Sequence, residues 1–191
     1  MAIIGLTGYA QSGKDTVASI LVSEYGFTRV AFADKIRELA YELNPIVEGY
    51  DYDDVFNPVY LREWVDEKGW DRAKVKEPEL RRILQDLGVG ARKVLGEDIW
   101  VISVLQELHD VDTDYVITDV RFKNEATMLK QMNGQLWRVE RPGVKAINGH
   151  ISEHDLEGYD VDQVLSNEGT MQDLELLVRQ RMDDLIANKT N

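Results

Sequence analysis

Ile3-Ile4-Gly5-Leu6-Thr7-Gly8-Tyr9-Ala10-Gln11-Ser12-Gly13-Lys14-Asp15-Thr16 is the stretch that decides the fold of this chain. Its apolar start, residues 2–7, reads as a short buried strand. Gly8 to Lys14 fits the pattern G-x-x-x-x-G-K. Behind it, Val17, Ile20, Leu21 and Tyr25 recur at helical spacing up to Gly26, a good helix stop. A glycine loop between a strand and a helix is the setting in which this pattern cradles phosphate. The glycines permit backbone turns that aim successive N–H groups at phosphate oxygens. The helix start adds partial positive charge, and Lys14 supplies a point charge for β- and γ-phosphates. One residue departs from the full motif, which places Ser or Thr after the lysine to ligate Mg²⁺. Here Asp15 follows, and then Thr16. Two assignments stay open. Asp15 ligates the metal or holds its water while Thr16 contacts a phosphate, or Asp15 is a first-turn carboxylate favoured by the helix dipole.

Outward from this stretch, residues 27–32 read as a second strand, and Asp34 is expected to cap a helix with Ile36, Leu39, Ala40 and Leu43 inward. Residues 44–80 are acidic and aromatic, with weak periodicity, and read as an insertion outside the central sheet. A helix is expected from Pro78, although Gly88 and Gly90 weaken it as one unbroken element. Another is expected after Asp98. Strands follow at 115–118, 135–140 and 161–165, with a helix at 124–132. A last helix starts at Thr170, with Asp173 three residues on as in a capping box and with Leu174, Leu177, Val178, Leu185 and Ile186 inward. This alternation predicts an α/β protein, a parallel sheet covered on both faces.

The 191 residues correspond to about one domain with room for an insertion. With 43% hydrophobic and 30% charged residues, the chain can build a core. Its 35 acidic against 22 basic residues give a net charge of −13, which argues against a nucleic-acid track and leaves free nucleotides open as ligands. Without cysteine there is no disulfide, thiolate nucleophile or Cys-built zinc site. No apolar run reaches the ~20 residues of a membrane helix, and the first residues lack the basic start of a signal peptide. The expected protein is cytoplasmic, a monomer or homodimer, with neither nucleic acid nor membrane as partner.

A guanine-type Asn-Lys-x-Asp motif is absent, and no Glu follows Asp119 to activate water, so a transferase fits better than a GTPase or an ATPase engine. Asp119 ends an apolar strand, where a carboxylate supports Mg²⁺ through water. Phosphoryl transfer to a second anion needs further cations. Arg37, Arg81, Arg82, Arg121, Arg138 and Arg141 are candidates, because guanidinium forks suit phosphate. Arg121 stands out, at the C-terminal end of an expected parallel strand.

The chain resembles the phage deoxynucleoside monophosphate kinases, within the nucleoside-monophosphate-kinase group of P-loop proteins. The matching stretches are 8–16, 32–37, 69–74, 80–88, 98–101, 117–125 and 150–153. Among them Arg81-Arg82-Ile83-Leu84-Gln85 and Asp119-Val120-Arg121-Phe122-Lys123-Asn124-Glu125 are far more specific than the phosphate loop. The resemblance implies ATP-dependent conversion of a deoxynucleoside monophosphate to the diphosphate, with Mg²⁺. It implies one P-loop domain over residues 1–191. That domain would have a five-stranded parallel sheet with helices on both faces, a mostly helical acceptor-binding insertion and a short lid near 141–158. If the source is a phage, the location is the host cytoplasm.

On this reading Gly8, Ala10, Gln11, Ser12, Gly13, Lys14, Asp15 and Thr16 bind ATP, and Asn167, with Gly169, resembles an adenine loop. Lys14, Arg121 and Asp119 carry catalysis, and Asp15, Thr16 and Asp119 hold the metal. Asp34, Arg37, Arg81, Gln85, Arg121, Asn124 and Glu125 bind the acceptor, and Arg141, His150 and Glu153 belong to the lid. Trp64 and Trp70 either stack on the base or simply fill a core. Another small-molecule kinase on the same scaffold, of the phosphomevalonate or dephospho-coenzyme A type, is the alternative. His150-Ile151-Ser152-Glu153-His154 also matches the zinc-protease pattern H-x-x-E-H, but flanking Gly149 and Gly158 and the lack of helical periodicity argue against it.

Overall fold

The computed structural model describes residues 1–48, 58–70, 78–146 and 151–189. The chain divides into two compact units, one of Met1–Phe32 with Val104–Asn191 and one of Ala33–Ser103.

The first unit is built on a five-stranded, all-parallel sheet. Its strands are β1 (Ile3–Thr7), β2 (Thr28–Val30), β5 (Tyr115–Ile117), β6 (Gln135–Glu140) and β7 (Gln163–Ser166), in the order β2-β5-β1-β6-β7. β1 is therefore the central strand, and the glycine loop leaves from its C-terminal end. Ile4 and Leu6 point to one face, where they pack with Trp137, Val139 and Leu165 under α1 (Lys14–Tyr25). The last helix of the chain, α7 (Met171–Lys189), covers the same face with Leu174, Val178 and Met182. These three lie at four-residue spacing, a single helical stripe. Ile186, expected inward, is 50% exposed, because the stripe has rotated away by that turn.

On the opposite face Gly5 leaves room for α6 (Lys123–Gln131): a Cβ there would sit 2.6 Å from Leu129 Cδ2. Helices thus lie on both faces, as the alternation predicts. The capping box at Thr170 forms in full: the Thr170 N–H donates to Asp173 Oδ2 at 2.7 Å, and the Asp173 N–H to Thr170 Oγ1 at 3.3 Å.

α2 (Phe32–Leu43) starts two residues before the expected cap. The Phe32 N–H donates to Asp119 Oδ1 at 2.9 Å. A carboxylate from the end of β5 thus caps the helix in place of a local one, and Asp34 lies inside the first turn. The second strand is correspondingly shorter than the expected 27–32.

The second unit takes in the acidic, aromatic stretch. β3 (Ile46–Glu48) and β4 (Val59–Tyr60) form a separate antiparallel pair, followed by α3 (Leu61–Lys68). A small core of Ala40, Val47, Leu61, Trp64, Val65 and Leu80 holds it together. α4 (Pro78–Leu95) runs unbroken through both glycines. Gly88 is buried; a Cβ there would meet Ile36 Cδ1 at 3.1 Å, and its carbonyl accepts the Trp100 Nε1–H at 2.9 Å. Close packing accounts for that glycine. α5 (Ile99–Leu105) begins directly after Asp98. Among the described residues no helix is long and apolar enough to cross a membrane.

Candidate active site

Gly8 and Gly13 have φ of 133° and 112°, values that L side chains rarely adopt. Both are also crowded. A Cβ on Gly8 would overlap the Val139 carbonyl oxygen, and one on Gly13 would lie 2.6 Å from Asn167 Nδ2. The loop therefore nests against the ends of β6 and β7. Asn167 ties it there: its N–H donates to the Glu140 carbonyl at 2.7 Å and its Nδ2 to the Ser12 carbonyl at 2.9 Å. Ser12 is 2% exposed, and its buried Oγ has no hydrogen-bond partner among the described residues. Gln11 is exposed at the outer edge, with φ of 66°. The first N–H groups of α1 have no intrahelical partners, as at every helix start, so the loop presents donors to an anion.

Lys14 Nζ folds back over the loop and donates to the Gly8 and Tyr9 carbonyls at 2.8 and 2.7 Å. Burial, and behind it the charge of Arg121, pushes its ammonium down to about 8, against the pull of Asp15, Glu153 and Asp119. Those causes also locate the charges: all four groups lie within electrostatic reach of Lys14. Asp15 is exposed and Thr16 half-buried in the first turn of α1.

The segment 118–121 runs along the end of the sheet. The Thr118 N–H donates to the Val30 carbonyl, and the Val120 N–H to the Leu6 carbonyl at 3.0 Å, which sets Asp119 and Arg121 beside the end of β1. Glu125 supports this turn from below. It is 3% exposed, and its Oε2 accepts the Arg121 and Phe122 N–H groups at 2.8 and 3.0 Å. Asn124 precedes it in the first turn of α6, half-buried. Arg121 Nη1 donates to Glu153 Oε1 at 2.6 Å.

Glu153 ends a short 3₁₀ turn, Ile151–Glu153, and the chain from there to Tyr159 forms a strap beside the loop. Arg138 on β6 donates through Nη2 to the Leu156 and Tyr159 carbonyls at 3.0 and 2.9 Å. The Tyr9 hydroxyl donates to Glu157 Oε1 at 2.8 Å, which raises the Tyr9 pKa; His154 and Tyr9 together hold the Glu157 carboxyl low. Loop, strap and the end of β6 line an open cavity of about 480 Å³. Its walls carry Arg121, Arg138 and Arg141 against Glu140, Glu153, Glu157 and Glu168.

The second unit holds the other expected residues. Arg37 Nη1 donates to Asp34 Oδ1 at 2.7 Å, and its guanidinium lies 5.9 Å from the Trp70 ring centre. Both face a shallow recess of about 430 Å³ with Glu38, Tyr41 and Glu42. Arg37 Nε is buried without a hydrogen-bond partner among the described residues. Arg81 and Gln85 sit one turn apart on α4, half-buried, whereas Arg82 is engaged on the surface by Glu79 and Asp86. Trp64 is 3% exposed in the core, which answers its sequence ambiguity in favour of packing. His150 lies outside the described residues; His154 is half-exposed on Glu157. Among the described residues no cluster of three or more His, Cys, Asp or Glu that could hold a metal occurs.

The Arg121–Glu153 pair, the Glu125 support and the Asn167 brace were not readable as contacts in the sequence. The Asp119–Glu125 block, Glu153 and Asn167 each stand out in the sequence, but not their contacts with other residues.

A family model described as deoxynucleotide monophosphate kinase matches residues 65–178. The chain belongs to the deoxynucleotide monophosphate kinase family. As a member of that family it is a phosphotransferase. A protein of Acanthamoeba polyphaga mimivirus, provisionally named a deoxynucleotide monophosphate kinase, is 29% identical over 185 residues, covering 91% of this chain and 92% of its own. The deoxynucleotide monophosphate kinase of Enterobacteria phage T4 is 23% identical, over 91% of this chain and 95% of its own. Among solved structures, dephospho-CoA kinase from Campylobacter jejuni superposes with a TM-score of 0.52 over 98% of both chains. At 16% identity that likeness carries the P-loop kinase fold and no activity.

Proposed function

We propose that this kinase transfers the γ-phosphoryl group of ATP to the phosphate of a deoxynucleoside monophosphate, releasing ADP and the deoxynucleoside diphosphate. The observation that carries the reading is the pairing of a glycine loop and half-buried Lys14 with Arg121, within electrostatic reach of each other at the end of the central strand, in a chain of this family. In the transfer an acceptor phosphate oxygen bonds to the γ-phosphorus. The bond from that phosphorus to the bridging oxygen breaks, and ADP leaves with the electron pair. Such a transfer needs positioning and charge neutralisation more than covalent help from the protein.

The loop N–H groups and Lys14 hold the donor phosphates, and Arg121 neutralises charge on the group in flight. Asp34 and Arg37, with Trp70 beside them, bind the acceptor, together with Arg81 and Gln85. Glu125 and Asn124 support the Arg121 turn, and Asn167 completes the ATP site. Arg141 and the strap form the lid, and water exclusion is its task. Asp15, Thr16 and Asp119 are the residues that would hold Mg²⁺. The donor set fits that ion, because magnesium arriving on nucleotide phosphates keeps several waters and needs only one or two carboxylates. Held there, the ion would help to neutralise the negative charge that develops on the phosphates during transfer.

Acceptor-dependent ADP release, measured over all common ribo- and deoxyribonucleoside monophosphates, tests the reading. Activity on deoxynucleotides is expected, with Lys14→Ala and Arg121→Ala each at least ~10²-fold slower while still folded. ADP release that no nucleotide stimulates would falsify the assignment.

A further inference from the structure

The charge balance of the 480 Å³ cavity is unusual for a polyphosphate site, with three arginines against four glutamates on its walls. Glu157 is 55% exposed, so water screens its charge. Glu153 differs. Its side chain is only 8% exposed. One oxygen accepts Arg121 Nη1 at 2.6 Å, and the other is buried with no hydrogen-bond partner among the described residues. Its charge also reaches Lys14. A carboxylate buried beside the two cations that take the phosphates opposes them with little water in between.

We propose that Glu153 is a specificity-determining residue that makes the site accept a polyphosphate carrying its own divalent cation and reject the bare polyanion. The inference rests on the proposed reading in which the glycine loop and Lys14 hold the phosphates of ATP. Glu153 cancels part of the field of Lys14 and Arg121, so the uncompensated charge of metal-free ATP meets a site already partly neutralised. A complexed divalent cation offsets the repulsion. Among the described residues the Arg121 guanidinium gives only Nη1, to Glu153, which leaves its other N–H groups to meet phosphate oxygens.

Calorimetric titration of the wild type and Glu153→Gln with a non-hydrolysable ATP analogue, once with Mg²⁺ and once with EDTA, tests this. The amide keeps an acceptor for Arg121 and removes the charge. Its affinity without metal should rise at least about tenfold while affinity with Mg²⁺ changes less than about threefold, so the metal dependence collapses. Glu153→Ala should show the same gain in the EDTA arm, which keeps the test sound should one variant fold poorly. Unchanged or weaker metal-free binding in both variants overturns the inference. So does a loss confined to the Mg²⁺ arm, which would make Glu153 a holder of the metal. A wild type that binds the analogue in neither arm overturns the ATP-site reading and this inference together, whereas binding with no effect of the variants overturns this inference alone.

Discussion

Raising the pH from 7 to 9 should loosen ATP binding about tenfold, and Lys14 is the reason. Its ammonium in the ligand-free protein titrates at about 8, held down by burial first and by the Arg121 charge second. In the proposed ATP site the polyphosphate needs the charged lysine. With that value, about one-tenth of the molecules carry a neutral Lys14 at pH 7 and about nine-tenths at pH 9. Bound phosphate keeps the lysine protonated, so binding at high pH must take up a proton, and the apparent affinity drops by about 1.4 kcal/mol over the two units.

The sign for folding is the opposite. The folded-state value lies below the ~10.4 of an unfolded lysine, so between the two the unfolded chain binds more protons and the Lys14 contribution to stability rises with pH. Weaker binding at pH 9 therefore cannot be blamed on unfolding driven by this group. Titration with Mg²⁺ and a non-hydrolysable ATP analogue at pH 7, 8 and 9, in two buffers of different ionisation heat, reads both affinity and proton uptake. Uptake should approach about one proton at pH 9 and about a tenth of one at pH 7. A flat affinity, or no uptake at pH 9, would refute the account. In Arg121→Gln the midpoint should move upward, since one of its two causes is gone.

Two substitutions probe how the site is held. Gly13→Ala places a methyl 2.6 Å from Asn167 Nδ2 at a φ of +112°, so we expect a stability loss of about 1–3 kcal/mol in urea melts and at least about tenfold weaker nucleotide binding; a variant matching wild type on both counts would show that the loop is not so constrained. Glu125→Ala removes the acceptor of the Arg121 and Phe122 N–H groups and should cost about 2 kcal/mol. Its kcat should fall more than its KM for ATP, with Glu125→Gln recovering most of both. Equal losses in Ala and Gln would place the role of Glu125 elsewhere.

How much could be read in advance follows the range of each interaction. The glycine loop was legible because strand, loop and helix are neighbours along the chain and the pattern is local. The face of α7 was legible through Leu174 and Val178, yet Ile186 was misplaced, since successive four-residue steps drift around the helix and carry it past the buried face while Leu185 stays packed. Asp34 reads as a helix cap because a carboxylate near a helix start suggests one. The actual cap, Asp119, lies 87 residues away. Gly88 looked like a helix breaker, and only the indole of Trp100 and the side chain of Ile36 show that close packing uses it.

By itself the sequence determined that this is a phosphate-loop α/β protein with β1 feeding the loop, and it marked Lys14 and Arg121 as the principal cations. Those features depend on periodicity and on groups close along the chain, which spacing encodes directly. Tertiary structure decided what surrounds those cations: the Glu153 carboxylate on Arg121, 32 residues distant, the Asn167 amide on the Ser12 carbonyl, 155 residues distant, and the burial that moves Lys14. Electrostatic interactions act through space and depend on burial, so their strength is set only once the chain has closed around them.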